Sequence, residues 1–134
     1  MQTVKELPYI SLIWDEESRG LISQWHGGHI GRNIKEGLDA GLEEYKKYLP
    51  NAQWIGDTTD IGVIGLEEQE WIDTDWFPRF LATGVKFMVV VQPKSAVAKL
   101  MVDQIVSKVP GTALTVFNCT SLDEGREWLK EQDF

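Results

Sequence analysis

Trp54-Ile55-Gly56-Asp57-Thr58-Thr59-Asp60 joins an apolar run to a short cluster of acids and hydroxyls. Carboxylate and hydroxyl oxygens so close together suit a phosphate-accepting, hydroxyl-presenting or cation-holding loop. The same short side chains also satisfy loop and helix-start amides with no ligand present. His26-Gly27-Gly28-His29 has the most metal-like spacing in the chain: two imidazoles flank a flexible turn, and Asp57 or Asp60 would add an oxygen. It is half a site, because a structural zinc needs about four ligands and no cysteine supports the pair. A Gly-Gly turn leading into a helix is the plainer reading, and no bound metal is expected. The carboxylates have no histidine or serine arranged as acid, base and nucleophile, so no catalytic set is predicted. Cys119, the only cysteine, lacks a flanking cation or histidine and reads as a small buried hydrophobe.

These residues must be held by an α/β framework. Leu7 to Trp14 reads as a first strand ending in the acidic turn Asp15-Glu16-Glu17-Ser18-Arg19-Gly20, and Leu21 to Trp25 as its antiparallel partner. Ile30, Ile34, Leu38, Leu42, Tyr45 and Leu49 draw one helical stripe, stopped by Pro50. Ala52 to Asp57 forms the third strand, and a Thr-, Asp- and Gly-rich loop runs to Gly65. A second helix spans about Leu66 to Thr83; Pro78 should kink it or divide it, with Thr74 or Asp75 capping the second piece and Gly84 adopting the left-handed position past its end. Trp71, Trp76 and Phe77 lie five and six positions apart, so they cannot all face a sheet from a regular α-helix. One aromatic is expected to remain open as a contact.

Val85 to Val91 is nearly continuously apolar, as a central strand covered on both faces would be. Ser95 can cap a third helix with a stripe of Val97, Leu100, Met101, Ile105 and Val109. Thr112 to Asn118 reads as the last strand, and Ser121 to Glu124 has capping-box spacing before a final helix carrying Trp128 and Leu129. The order predicts one domain over residues 1–134: a single mixed sheet of about five strands, an N-terminal hairpin followed by β-α units, with four helices.

Composition narrows the function classes. A net charge of -8 with basic residues scattered rather than striped disfavours nucleic acid. The longest aliphatic run, Met88 to Val91, is far short of the roughly 20 residues a membrane helix needs. Neither an apolar leader nor a disulfide framework is visible, so a cytoplasmic location is expected.

The order of elements resembles the STAS fold, that of anti-sigma-factor antagonists and of the STAS/CRAL-TRIO-like group of small bacterial proteins. The similarity rests on Trp54-Ile55-Gly56-Asp57-Thr58, Glu68-Gln69-Glu70-Trp71-Ile72, Asp75-Trp76-Phe77-Pro78-Arg79 and Ile105-Val106-Ser107-Lys108-Val109. In the antagonists an Asp-Ser-Ser-Gly step carries the phosphorylated serine; the matching region here reads Asp60-Ile61-Gly62-Val63-Ile64-Gly65 and has no hydroxyl at that step, though Thr58 and Thr59 lie just upstream. The resemblance therefore implies a non-enzymatic regulatory or protein-interaction domain without an intact phospho-serine switch and without a cofactor. Its contacts with a protein partner, or with a second copy in a homodimer, would come from Asp57, Thr58, Thr59, Asp60, Trp71, Trp76 and Phe77. The likeness to lipid-transfer domains suggests an alternative, a small apolar ligand held by second- and third-helix aromatics and Met101. A metal-assisted hydrolase using His26, His29 and Asp57 is the third reading.

Overall fold

A computed structural model of the chain describes residues 1–26, 33–109 and 114–134. Its strands are β1 (Gln2–Leu7), β2 (Ile10–Asp15), β3 (Gly20–Trp25), β4 (Gln53–Asp57), β5 (Phe87–Val91) and β6 (Thr115–Cys119). They form one mixed sheet in that same spatial order, antiparallel from β1 to β3 and parallel from β3 to β6. The helices are α1 (Asn33–Lys46), α2 (Leu66–Trp71), a π segment (Ile72–Trp76), α3 (Phe77–Leu81), α4 (Ala96–Ser107) and α5 (Leu122–Lys130). Because α2, the π segment and α3 run on without a break, four helical bodies flank the sheet, as the sequence predicts.

The sheet has six strands rather than about five. Pro8 and Tyr9 form a turn that splits the expected first strand, so its apolar part becomes β2 and the residues before it become β1. This edge strand is mostly exposed and carries Lys5 and Glu6, features that protect an edge from adventitious pairing and also hide the apolar alternation of a strand.

From β3 onward each strand is laid beside its predecessor in one direction. Right-handed crossovers then place α1, the composite helix 66–81 and α4 on the same face. There Leu12, Trp14, Leu21, Trp25, Trp54, Met88 and Val90 meet Ile34, Leu38, Leu42 and Tyr45 of α1. Helix α5 follows the last strand, crosses back over the opposite face, and buries Leu129 on Ile22, Ile55, Val89 and Val91. β5 is central and buried between β4 and β6, as its apolar run requires.

The composite helix departs from the simple expectation. In an α-helix Phe77 would lie about 140° around the axis from Ile72. The wider π turn absorbs an extra residue and brings Ile72, Trp76, Phe77 and Phe80 onto the sheet-facing side, where all four are buried. Trp76 donates from Nε1 to the Leu38 carbonyl at 2.9 Å and stacks on Phe80 with centroids 4.7 Å apart. Of the three expected aromatics only Trp71 is half-exposed, and the cations of Lys35 and Arg79 lie over its ring. Thr74 and Asp75 cap nothing, since the helix does not stop: Thr74 donates to the Glu70 carbonyl and Asp75 pairs with Arg79. Gly84 takes the left-handed conformation with φ of 84°.

Ser95 and Ser121 cap α4 and α5, accepting from the amides of Ala98 and Glu124. The face of α4 that meets the core matches the expected stripe at Ile105, and at Val109 just past the helix, but not in its first half. Ala98 and Val102 are its buried residues, with Ile105, Val106 and Val109 partly buried, whereas Val97 and Leu100 point outward. Ile30, within the expected first-helix stripe, and the expected start of the last strand at Thr112 lie outside the described residues.

Candidate functional site

The carboxyl ends of β3, β4 and β5 lie side by side at Gln24, Asp57 and Val91, and the sequence places its candidate loop there. Asp57 closes β4 and is only 5% exposed. Its Oδ2 accepts from Gln24 Nε2 at 3.0 Å, and its Oδ1 accepts from the Thr59 amide at 3.2 Å and the Thr59 hydroxyl at 2.6 Å. Thr58, 9% exposed, donates from Oγ1 to the Val91 carbonyl at 2.6 Å. Asp60 is exposed and pairs with Lys94 at 3.3 Å, while the Lys94 amide donates to the Thr59 carbonyl. The acids and hydroxyls thus tie β4 to β3 and splice the loop after β4 to the loop after β5. They are brought together as the spacing suggests, with their hydrogen-bonding groups directed to neighbouring protein atoms.

The two segments joined by this splice carry exposed large aliphatic side chains that the sequence reading did not single out. Val63 is 48% exposed, Leu66 81%, Val97 57% and Leu100 62%. Val63 and Leu66 sit on the loop after β4 and the first residue of α2; Val97 and Leu100 sit in the first half of α4. Apart from Met1, they are the large hydrophobic side chains left exposed among the described residues. The available signal was composition: eight of the twelve residues of α4 are apolar, more than one inward stripe uses.

Behind the rim is an apolar cavity of about 90 Å³. Ser23, Gly56 and Val90, adjacent across β3, β4 and β5, form part of its floor. Ile72, Trp76 and Phe77 wall one side, Ile61 and Ile64 close the loop side, and Val102, Ile105 and Val106 of α4 form the roof. Trp76 and Phe77, expected as contact residues, therefore face this interior space. Met101, expected in such a lining, is not among the residues that form it.

His26 joins a different cluster, on the sheet face opposite α1. Glu6, Ser11, Gln24 and Asp57 are successive cross-strand neighbours from β1 to β4. Ser11 Oγ donates to Glu6 Oε1 at 2.5 Å, which leaves His26 Nε2 as the donor in its 3.1 Å bond to Ser11 Oγ. His29 lies outside the described residues, and among those described no three histidine, cysteine or acidic side chains converge as a metal set. Burial and the nearby Glu124 push the Cys119 thiol up to about 11, so at neutral pH it is a protonated core group.

No family model, no curated protein and no solved structure matches this chain. No described helix is long and apolar enough to cross a membrane.

Proposed function

We propose that this chain is a STAS-like, non-enzymatic binding domain that meets a protein partner, or a second copy of itself, at the carboxyl end of its sheet. The observation that carries the reading is the exposure of Val63, Leu66, Val97 and Leu100 on the two segments that leave the carboxyl ends of β4 and β5, segments joined by the Lys94 contacts to Thr59 and Asp60. Exposed large aliphatics lose nothing structural when covered and gain roughly 1.5 to 3 kcal/mol each if fully buried, which makes such a group suited to association. The inward engagement of Asp57, Thr58 and Thr59 gives them the supporting role of fixing the loop that presents Val63 and Leu66. The lack of a hydroxyl at Asp60-Ile61-Gly62 supports a contact that is not switched by phosphorylation there. The small-ligand alternative is favoured by a separate observation, the cavity beneath α4.

The test replaces Leu66 and Leu100 together by aspartate. In the host cytoplasm or its extract the unaltered chain should sediment or elute well above its monomer mass, and the double variant as a folded monomer. A wild-type chain that is monomeric throughout, or a variant whose complex is unchanged, would overturn the reading.

A further inference from the structure

We propose that the cavity between β4 and α4 is a binding site for a compact, uncharged, apolar molecule of about the size of a single ring or a short hydrocarbon. Gly56 is the key observation. Other glycines of this core are required by neighbours at close range: a Cβ on Gly37 would come within 2.7 Å of the Trp25 ring, on Gly41 within 2.8 Å of the Trp54 ring, and on Gly125 within 2.6 Å of Val89. A Cβ on Gly56 would meet nothing nearer than Trp54 Nε1 at 3.7 Å. Its φ is not in the left-handed region either, so neither packing nor backbone conformation demands a glycine in the middle of this strand. What the missing side chain does is keep the floor open, and strand glycines of this kind mark places where something approaches closely.

The lining defines the class of occupant. Among the described residues it contains no ionisable side chain, so a charged ligand would meet no counter-charge from them and lose its hydration. Its two hydroxyls donate inward, Thr58 to the Val91 carbonyl at 2.6 Å and Ser23 to the Ile55 carbonyl at 3.4 Å, leaving lone pairs that can accept one bond from a ligand. The volume of about 90 Å³ is below the roughly 150 Å³ at which an apolar cavity takes benzene. Entry of a ring therefore requires a small outward movement of the roof, and α4 has only two buried residues in its twelve, Ala98 and Val102.

The experiment uses benzene, phenol and benzoate as probes of the full chain, followed by amide and indole shifts in nuclear magnetic resonance. Benzene and phenol should give saturable shifts centred on Trp54, Trp76 and Val90, with benzoate at least tenfold weaker. Gly56→Val should abolish these shifts while the fold is kept. Gly56→Ala, for which the space already exists, should weaken binding several-fold and serves if the valine variant fails to fold. No saturable shift in the unaltered chain, benzoate equal to benzene, or binding indifferent to both substitutions would overturn the proposal. The double variant Leu66→Asp with Leu100→Asp should still bind benzene, so loss of partner association and loss of the cavity ligand are separable results.

Discussion

Asp57 shows how one carboxylate serves the fold while lying in a loop that looks chemical. Its three accepted bonds fix Gln24 and Thr59, so Asp57→Ala strands a partly buried amide and frees the loop. Such a loss costs on the order of 1 to 3 kcal/mol. The expected outcome is a lowered urea midpoint, with benzene binding in the cavity retained once the variant is folded. A variant of unchanged stability would show that the three bonds contribute nothing and would restore Asp57 as a candidate ligand group.

Asp15 is a second engaged carboxylate, at the far end of the same sheet face. Burial acts to raise its pKa, but hydrogen bonds from Arg126, at 2.8 and 3.2 Å, and from Ser18, at 2.6 Å, outweigh it and hold the carboxyl below the usual range. A depressed folded-state pKa contributes stability that is present above the unfolded value and is lost as the pH falls through the folded one. Urea midpoints should accordingly be level from neutral pH down to about 5 and fall steeply below about 4. Asp15→Asn should flatten that fall and, by leaving Arg126 without its buried partner, cost about 3 kcal/mol at neutral pH. A parallel pH profile in the variant would contradict this account of the Asp15–Arg126 pair.

Among the elements, β5 and α4 are the informative contrast. β5 is paired on both sides and covered on both faces, whereas α4 rests on Ala98 and Val102 with Val97 and Leu100 in solvent. Amide exchange should therefore be slowest at Val89 and Val90 and measurably faster through Val102 to Ser107. Equal protection of the two would mean that α4 is as firmly seated as the central strand. The sequence made β5 legible because an unbroken apolar run has one economical use in an α/β sheet. It made α1 legible because Ile34, Leu38, Leu42 and Tyr45 draw a single stripe. It misassigned the first half of α4, whose apolar residues surround most of the helix, so that periodicity alone does not choose between Val97-Leu100 and Ala98-Val102. It also missed the π turn, because the extra residue that returns Trp76 and Phe77 to the core has no local signature beyond Pro78. The loop follows β4 as the sequence reading had it, but whether Asp57 and Thr58 point to a ligand or to Gln24 and Val91 depends on which strands lie alongside, a long-range fact.

The assembled chain places its exposed aliphatics, its spliced loops and its apolar cavity at one end of the sheet. The opposite face of β4 to β6 is covered by α5, whose outer surface is largely charged, including Asp123, Glu124, Glu127 and Lys130. An acidic chain with net charge -8 is repelled by like surfaces, and the side chains of Val63, Leu66, Val97 and Leu100 add no charge of their own to that repulsion. Both segments that carry the rim also line the cavity: Ile61 and Ile64 face in while Val63 and Leu66 face out, and Val102 and Ile105 face in while Val97 and Leu100 face out. Site-specific photo-crosslinking in cells decides whether this end is the working surface. A photoreactive residue at Leu66 or at Leu100 should give adducts of one discrete mass, the same from both positions, and a residue at Glu127 on α5 should give none. Adducts of that mass from Glu127 and none from Leu66 or Leu100 would contradict the assignment.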